Sequence, residues 1–80
     1  MERLKNTDKI VVGAKQVNKA VKGGKAQVIY LARDADRHII IPLEKVCKEC
    51  NVEFLYVDEM SKLGKACGIK VKASTAAILK

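Results

Sequence analysis

The run A-Q-V-I-Y-L-A at residues 26–32, in which a single glutamine interrupts the apolar residues, constrains this chain more than any other stretch. An extended strand points successive side chains to opposite faces, so a nearly continuous apolar strand is stable only when both faces are covered. A second run of this kind, E-F-L-Y-V at residues 53–57, predicts another buried strand. Whatever lies between and around them must supply the covers.

The intervening sequence has helical spacing. Residues 9–12 form a short β-branched run ending at Gly13, and residues 14–22 then place Ala14, Val17 and Val21 at i, i+3 and i+7 with Ala20 beside them, which predicts a helix with one apolar stripe. Gly23 and Gly24 stop it. Residues 33–38 read as a polar turn. Pro42 suits a first helical turn, where its missing N–H costs nothing, and Leu43, Val46, Cys47 and Cys50 continue as an apolar stripe until Asn51. Residues 38–41 fit either an earlier helical turn or an extended lead-in. Asp58 is the expected N-cap of a further helix that turns Met60, Leu63 and Cys67 inward and closes at Gly68, and residues 74–79 read as a last strand. Helices alternating with buried strands predict an α/β fold, a small mixed or mostly parallel sheet with helices on both faces. No repeat or linker divides the sequence, so residues 1–80 are read as one domain. A chain of this length buries only about 60% of its unfolded surface, which leaves little room for an enclosed active-site cavity.

Charge narrows the partner. Sixteen Lys and Arg against nine Asp and Glu give a formal net charge of +7, which favours a polyanion over an acidic small molecule. No apolar run approaches the roughly 18 residues of a membrane span, and residues 1–8 lack the apolar core of a signal peptide, so a cytoplasmic protein is expected. Its three cysteines are then expected as thiols.

Three segments are candidate sites. On the helix at residues 14–22, Lys15, Lys19 and Lys22 fall together away from the apolar stripe with Gln16 beside them, and no acidic residue lies between Lys9 and Lys25 to neutralise them. This is either a solvated basic face or a face for phosphates. Gly13 stands at the strand-to-helix junction, where free N–H groups and the helix dipole favour a phosphate or a base carbonyl and a missing Cβ permits close approach. The second candidate is Cys47-Lys48-Glu49-Cys50, with Cys67 and His38 as further potential ligands. It continues the apolar stripe inside a helix instead of opening one, so buried structural cysteine is favoured over zinc or redox chemistry. The sole histidine has no nucleophile placed beside it in the sequence, and no catalytic constellation is expected. The third is residues 68–74, where Ile69 and Val71 alternate with Lys70 and Lys72. This is either an ordinary strand edge or a loop with apolar groups for an unstacked base and lysines for its flanking phosphates.

The order G-x-x-x-V-x-K-A-V-x-x-G-K-A, a buried strand into A-R-D-A-D, then P-L, N-V-x-F-x-Y-V, L-G-x-A-C-G-I-x-V and A-S-x-A-A-I resembles the kink-turn-binding ribosomal proteins of the L7Ae and L30e type, in their short, YbxF-like bacterial branch. The resemblance covers residues 9–79, and it implies a three-layer α-β-α sandwich and a non-enzymatic, monomeric RNA-binding protein without cofactor, whose RNA is a kink-turn, with ribosomal RNA the expected host. It also implies site residues. Gly13, Lys15, Gln16 and Lys19 match the motif that meets the guanines of the sheared G·A pairs, with Lys22 one turn further on. Arg33 and Asp34 match the loop after the central strand, and Ile69, Lys70 and Val71 match the loop that packs on the bulge base. Where many members carry Asn-Glu, this chain has Lys15-Gln16, which adds charge and removes an anionic acceptor for guanine N–H groups. A general nucleic-acid binder is the rival reading, and a thiol or zinc protein a more distant one.

Overall fold

A computed structural model of the chain describes residues 9–80; residues 1–8, on which the signal-peptide argument rests, lie outside the described residues. The elements follow in the order β1 (Ile10–Val12), α1 (Ala14–Lys22), β2 (Ala26–Ala32), α2 (Arg37–Glu49), β3 (Glu53–Val57), α3 (Met60–Ala66) and β4 (Thr75–Leu79). The strands form one sheet ordered β1-β4-β2-β3. β2 and β3 are parallel, and β4 runs antiparallel to both β1 and β2. β1, β2 and β3 therefore end, and β4 begins, along a single edge of the sheet. All three helices start from that edge, because each follows one of the three parallel strands.

The central strand behaves as its composition requires. Val28 through Ala32 are all buried, and since successive residues face opposite ways, both sides of β2 are covered. α1 contributes Val17, Ala20 and Val21 to the core, α2 contributes Ile40, Leu43 and Cys47, and α3 contributes Leu63. Full burial of each large side chain among these is worth about 1.5–3 kcal/mol relative to exposure. Thr75, the only buried polar residue of the described core, donates its hydroxyl to the Tyr30 carbonyl at 2.8 Å and so leaves no polar atom unpaired. The result is the α-β-α sandwich the sequence implies.

Four local expectations are corrected. α2 begins at Arg37, five residues before Pro42, so the proline is not in the first turn, and of the two readings open for residues 38–41 the helical one holds. Asp36 starts it by accepting the His38 N–H at 2.8 Å, and the buried stripe begins with Ile40, so a side-chain cap and apolar burial outweigh the lone missing N–H of a proline in the second turn. β3 is an edge strand rather than a buried one: Leu55 and Tyr56 are 40% and 38% exposed, and only Val57 is buried. No further strand pairs beyond it among the described residues. Cys50 is exposed because α2 ends one residue before it, with Asn51 in the left-handed region at φ 56. Asp58 does not cap α3. The first N–H of that helix, on Met60, instead donates to the Asp34 carboxylate at 2.8 Å, twenty-six residues away in sequence.

Candidate nucleic-acid interface

α1 starts on Gly13, whose φ of 101 and ψ of 147 lie where a side chain is rarely tolerated. Its N–H donates to the Thr75 carbonyl at 3.0 Å, which ties the end of β1 to the start of β4, and its carbonyl accepts the Val17 N–H at 3.0 Å. Glycine has no side chain with which to cap, and among the described residues the N–H groups of Ala14, Lys15 and Gln16 have no acceptor. These three donors lie at the positive end of the helix dipole, and two of the residues that carry them, Lys15 and Gln16, are exposed.

Lys15, Gln16, Lys19 and Lys22 are all exposed, and among the described residues none of the three lysines pairs with a carboxylate. The structure divides what the sequence presents as a single stripe. Lys15 and Lys22 border the groove between α1 and α2, together with Asn18 and His38. Gln16 and Lys19 border an open cleft on the other flank, beside Val11 of β1 and Lys25. A ligand seated over the α1 start thus meets cations on both sides.

The loop at residues 68–74 is a neighbour of that start. It leaves α3 through Gly68, at φ 76, and is held by Ile69 N–H donating to the Gly64 carbonyl and Ala73 N–H donating to the Met60 carbonyl, both at 3.1 Å. Gly64 is buried in α3, and a Cβ there would collide with the Val71 carbonyl, so the glycine is what lets the loop lie against the helix. Ile69 is half-buried as an anchor, whereas Val71 is 69% exposed between the exposed Lys70 and Lys72. An exposed valine on a pinned loop is an apolar surface held in place rather than a mobile one.

The turn after β2 completes the edge. Ala32 N–H donates to the Ser74 carbonyl at 2.9 Å and Arg33 N–H to the Val57 carbonyl at 2.8 Å, so the turn lies between the loop and the end of β3. The guanidinium of Arg33 sits 5.0 Å from the centroid of the Tyr56 ring, a cation–π contact, and 3.7 Å from the Asp58 carboxylate. Asp34 points its carboxylate at α3 as the cap already described. Tyr56 is the side chain that sequence reasoning passed over, because a run of apolar residues reads as interior. The signal available was the tyrosine hydroxyl, which suits a partly wet position.

The cysteines form no comparable constellation. Cys47 is fully buried and its thiol is pushed up to about 11 by burial first, with Cys50 and Glu44 adding to the effect; Cys67 is raised by burial. All three are free thiols. A thiol so hard to ionise is a poor nucleophile and a poor metal ligand at neutral pH. Among the described residues no three His, Cys, Asp or Glu side chains converge as a metal site would require. Nor is any described helix long and apolar enough to cross a membrane.

This sandwich, with an uncapped basic helix start beside a pinned apolar loop, is matched by the model of the ribosomal protein L7Ae/L30e/S12e/Gadd45 family across residues 1–80, and the chain belongs to that family. The RNA-binding protein YbxF of Geobacillus stearothermophilus is 44% identical over 79 residues, spanning 99% of this chain and 96% of its own. An RNA-binding protein of Caldanaerobacter subterraneus is 45% identical over 69 residues, 86% of this chain and 84% of the relative. Among solved structures, the 15.5 kD RNA binding protein of Giardia lamblia superposes with a TM-score of 0.90 at 30% identity, covering 99% of this chain and 67% of that one.

Proposed function

We propose that this chain is a non-enzymatic, monomeric RNA-binding protein of the cytoplasm that recognises a kink-turn, with ribosomal RNA as its host. The observation that carries the reading is the α1 start, where among the described residues three N–H groups without an acceptor sit beside Lys15, Gln16 and Lys19. The names of the relatives support RNA as the partner. A regular A-form major groove is too deep and narrow to admit a helix end, and a kink opens it. In this reading Lys15 and Lys19 donate to guanine O6 and N7, and Gln16 both donates and accepts at a base edge. The free N–H groups receive a base carbonyl or phosphate oxygen. Val71, backed by Ile69, packs on the unstacked bulge base while Lys70 and Lys72 meet its flanking phosphates, and the Arg33 guanidinium lies next along the edge.

The test is a titration of the full chain with a kink-turn RNA and with a straight duplex of equal length and charge. A preference for the kink-turn that persists as salt rises is expected. Equal affinities, falling together with salt, return the protein to the class of general polyanion binders.

A further inference from the structure

A cleft on the same edge is left over by the α1 site. It holds about 370 Å3, and its lining includes Arg33, Ala35, Arg37, Ile41, Glu44 and Tyr56. Tyr56 and Ile41 are 38% and 52% exposed, so an apolar wall stands open to water. The Arg33 guanidinium stands 5.0 Å from the centroid of the Tyr56 ring, and its exposed pairing with Asp58 at 3.7 Å holds it only weakly. Arginine is scarce in this sequence, which meets its need for cations mostly with lysine, yet Arg33 and Arg37 both line this cleft while α1 carries lysines alone. A planar guanidinium stacks on a base and forks onto a phosphate, which an ammonium cannot do.

We propose that this cleft takes one unpaired nucleotide of the RNA held by α1, the base stacked against Tyr56 and Arg33 and the phosphate on Arg37. The inference rests on the kink-turn reading of the α1 site. Strand order puts the α1 start and Tyr56 at opposite ends of one edge, three strand spacings or about 14 Å apart. The nucleotide is therefore one that leaves the kinked duplex, distinct from the bulge base at Val71. Glu44 on the rim sets the preference. A carboxylate accepts and does not donate, so it favours guanine, whose N1–H and N2–H2 groups lie side by side.

The experiment uses the full chain and a two-strand kink-turn duplex, either blunt or extended by the single-stranded sequence U-U-G at each of its four ends in turn. An extension at one end should raise affinity about tenfold, in line with the stacking of one base on an aromatic side chain. U-U-U there should gain less. Tyr56→Ala should abolish the gain and leave blunt-duplex affinity within about twofold; Tyr56→Phe should keep it, and Arg37→Gln, on an exposed side chain, should reduce it. No gain at any end, or an equal loss on blunt and extended RNA, overturns the cleft while leaving the α1 reading intact; a cleft that serves a protein partner gives this result. Failure to bind the blunt duplex overturns the α1 reading instead. The cleft is then decided separately by titrating the labelled protein with guanosine monophosphate: resonance shifts at Arg33, Ala35 and Tyr56 that vanish in Arg37→Gln support a nucleotide site, and unchanged spectra overturn it.

Discussion

Among the described residues three helices rise from one edge of the sheet, and they begin in two different ways. α2 and α3 are closed by carboxylates, Asp36 on the His38 N–H and Asp34 on the Met60 N–H, both at 2.8 Å. α1 is opened by a glycine that caps nothing, and it presents lysines where the others present acids. A carboxylate cap satisfies orphan N–H groups and lowers the field at the helix end, so such an end has little left for an anionic ligand. The α1 start keeps both its donors and its field. The contrast separates ends capped within the protein from the one helix start that the described residues leave uncapped.

The strongest way to break this comparison is to remove the side chains of the open end selectively. Lys19→Ala is expected to cost about 1–3 kcal/mol on a kink-turn, erase most of the preference over a straight duplex, and leave the salt slope nearly unchanged, as loss of a base contact does. Lys22→Ala, on the α2 flank and one turn from the helix start, should cost less and lower the salt slope by about 0.7–0.9, as loss of a phosphate contact does. Both mutants measured on both RNAs at two salt concentrations decide it, and parallel losses would reduce α1 to a basic patch. The closed ends should fail differently. Asp34→Ala is expected to lower stability by about 0.5–2 kcal/mol in urea titrations, because the Met60 N–H loses its acceptor, with affinity retained by the folded protein. A loss of affinity at unchanged stability would move Asp34 from the cap to the RNA.

Cys47 supplies a control remote from both kinds of end. Cys47→Ala should cost about 1 kcal/mol of stability and no affinity. Its thiol, held at about 11 against an ordinary 9.0, stays protonated more readily in the fold than in the unfolded chain. Its contribution is therefore fully present below pH 9 and is lost as pH rises towards 11, so urea midpoints across that window should fall further in the parent protein than in the alanine mutant, which keeps only the loss from Cys67. The smallest effect is expected at Val71. Val71→Ala trims two methyl groups from an exposed contact and should weaken binding by a few tenths to about 1 kcal/mol, in keeping with about 0.8 kcal/mol for each fully buried CH₂. The loss should shrink when the bulge nucleotide is abasic, and equal losses on both RNAs would remove the loop from the interface.

Much of this architecture is legible in the linear chain because local rules carry it. The apolar stripe of Ala14, Val17, Ala20 and Val21 between two glycine signals places α1 at the residues it occupies, and the apolar run of β2 requires covers on both faces. The stripes of α2 and α3 follow from the same spacing. The candidate site was legible where charge and glycine coincide, at Gly13, Lys15 and Lys19. Beyond that, the reading of β3 as interior fails at Leu55 and Tyr56 because burial depends on which strands become neighbours, and the order β1-β4-β2-β3 leaves β3 at the edge.

What the sequence determined by itself is periodic or compositional: three helical stripes, a central strand, a surplus of lysine and a glycine ahead of the first helix. Only the tertiary structure could decide that the loop bearing Val71 lies beside the start of α1, since Thr75 and Gly13 are joined by one backbone hydrogen bond across sixty-two residues of chain. It alone assigned the cap of α3 to Asp34 instead of the adjacent Asp58, and it alone brought Arg33 over Tyr56. The physical reason is the same in each case. A stripe or a turn is set by interactions within a few residues of one another, whereas these contacts follow from strand pairing, which joins distant segments through backbone groups that every residue carries and that leave no mark in the sequence.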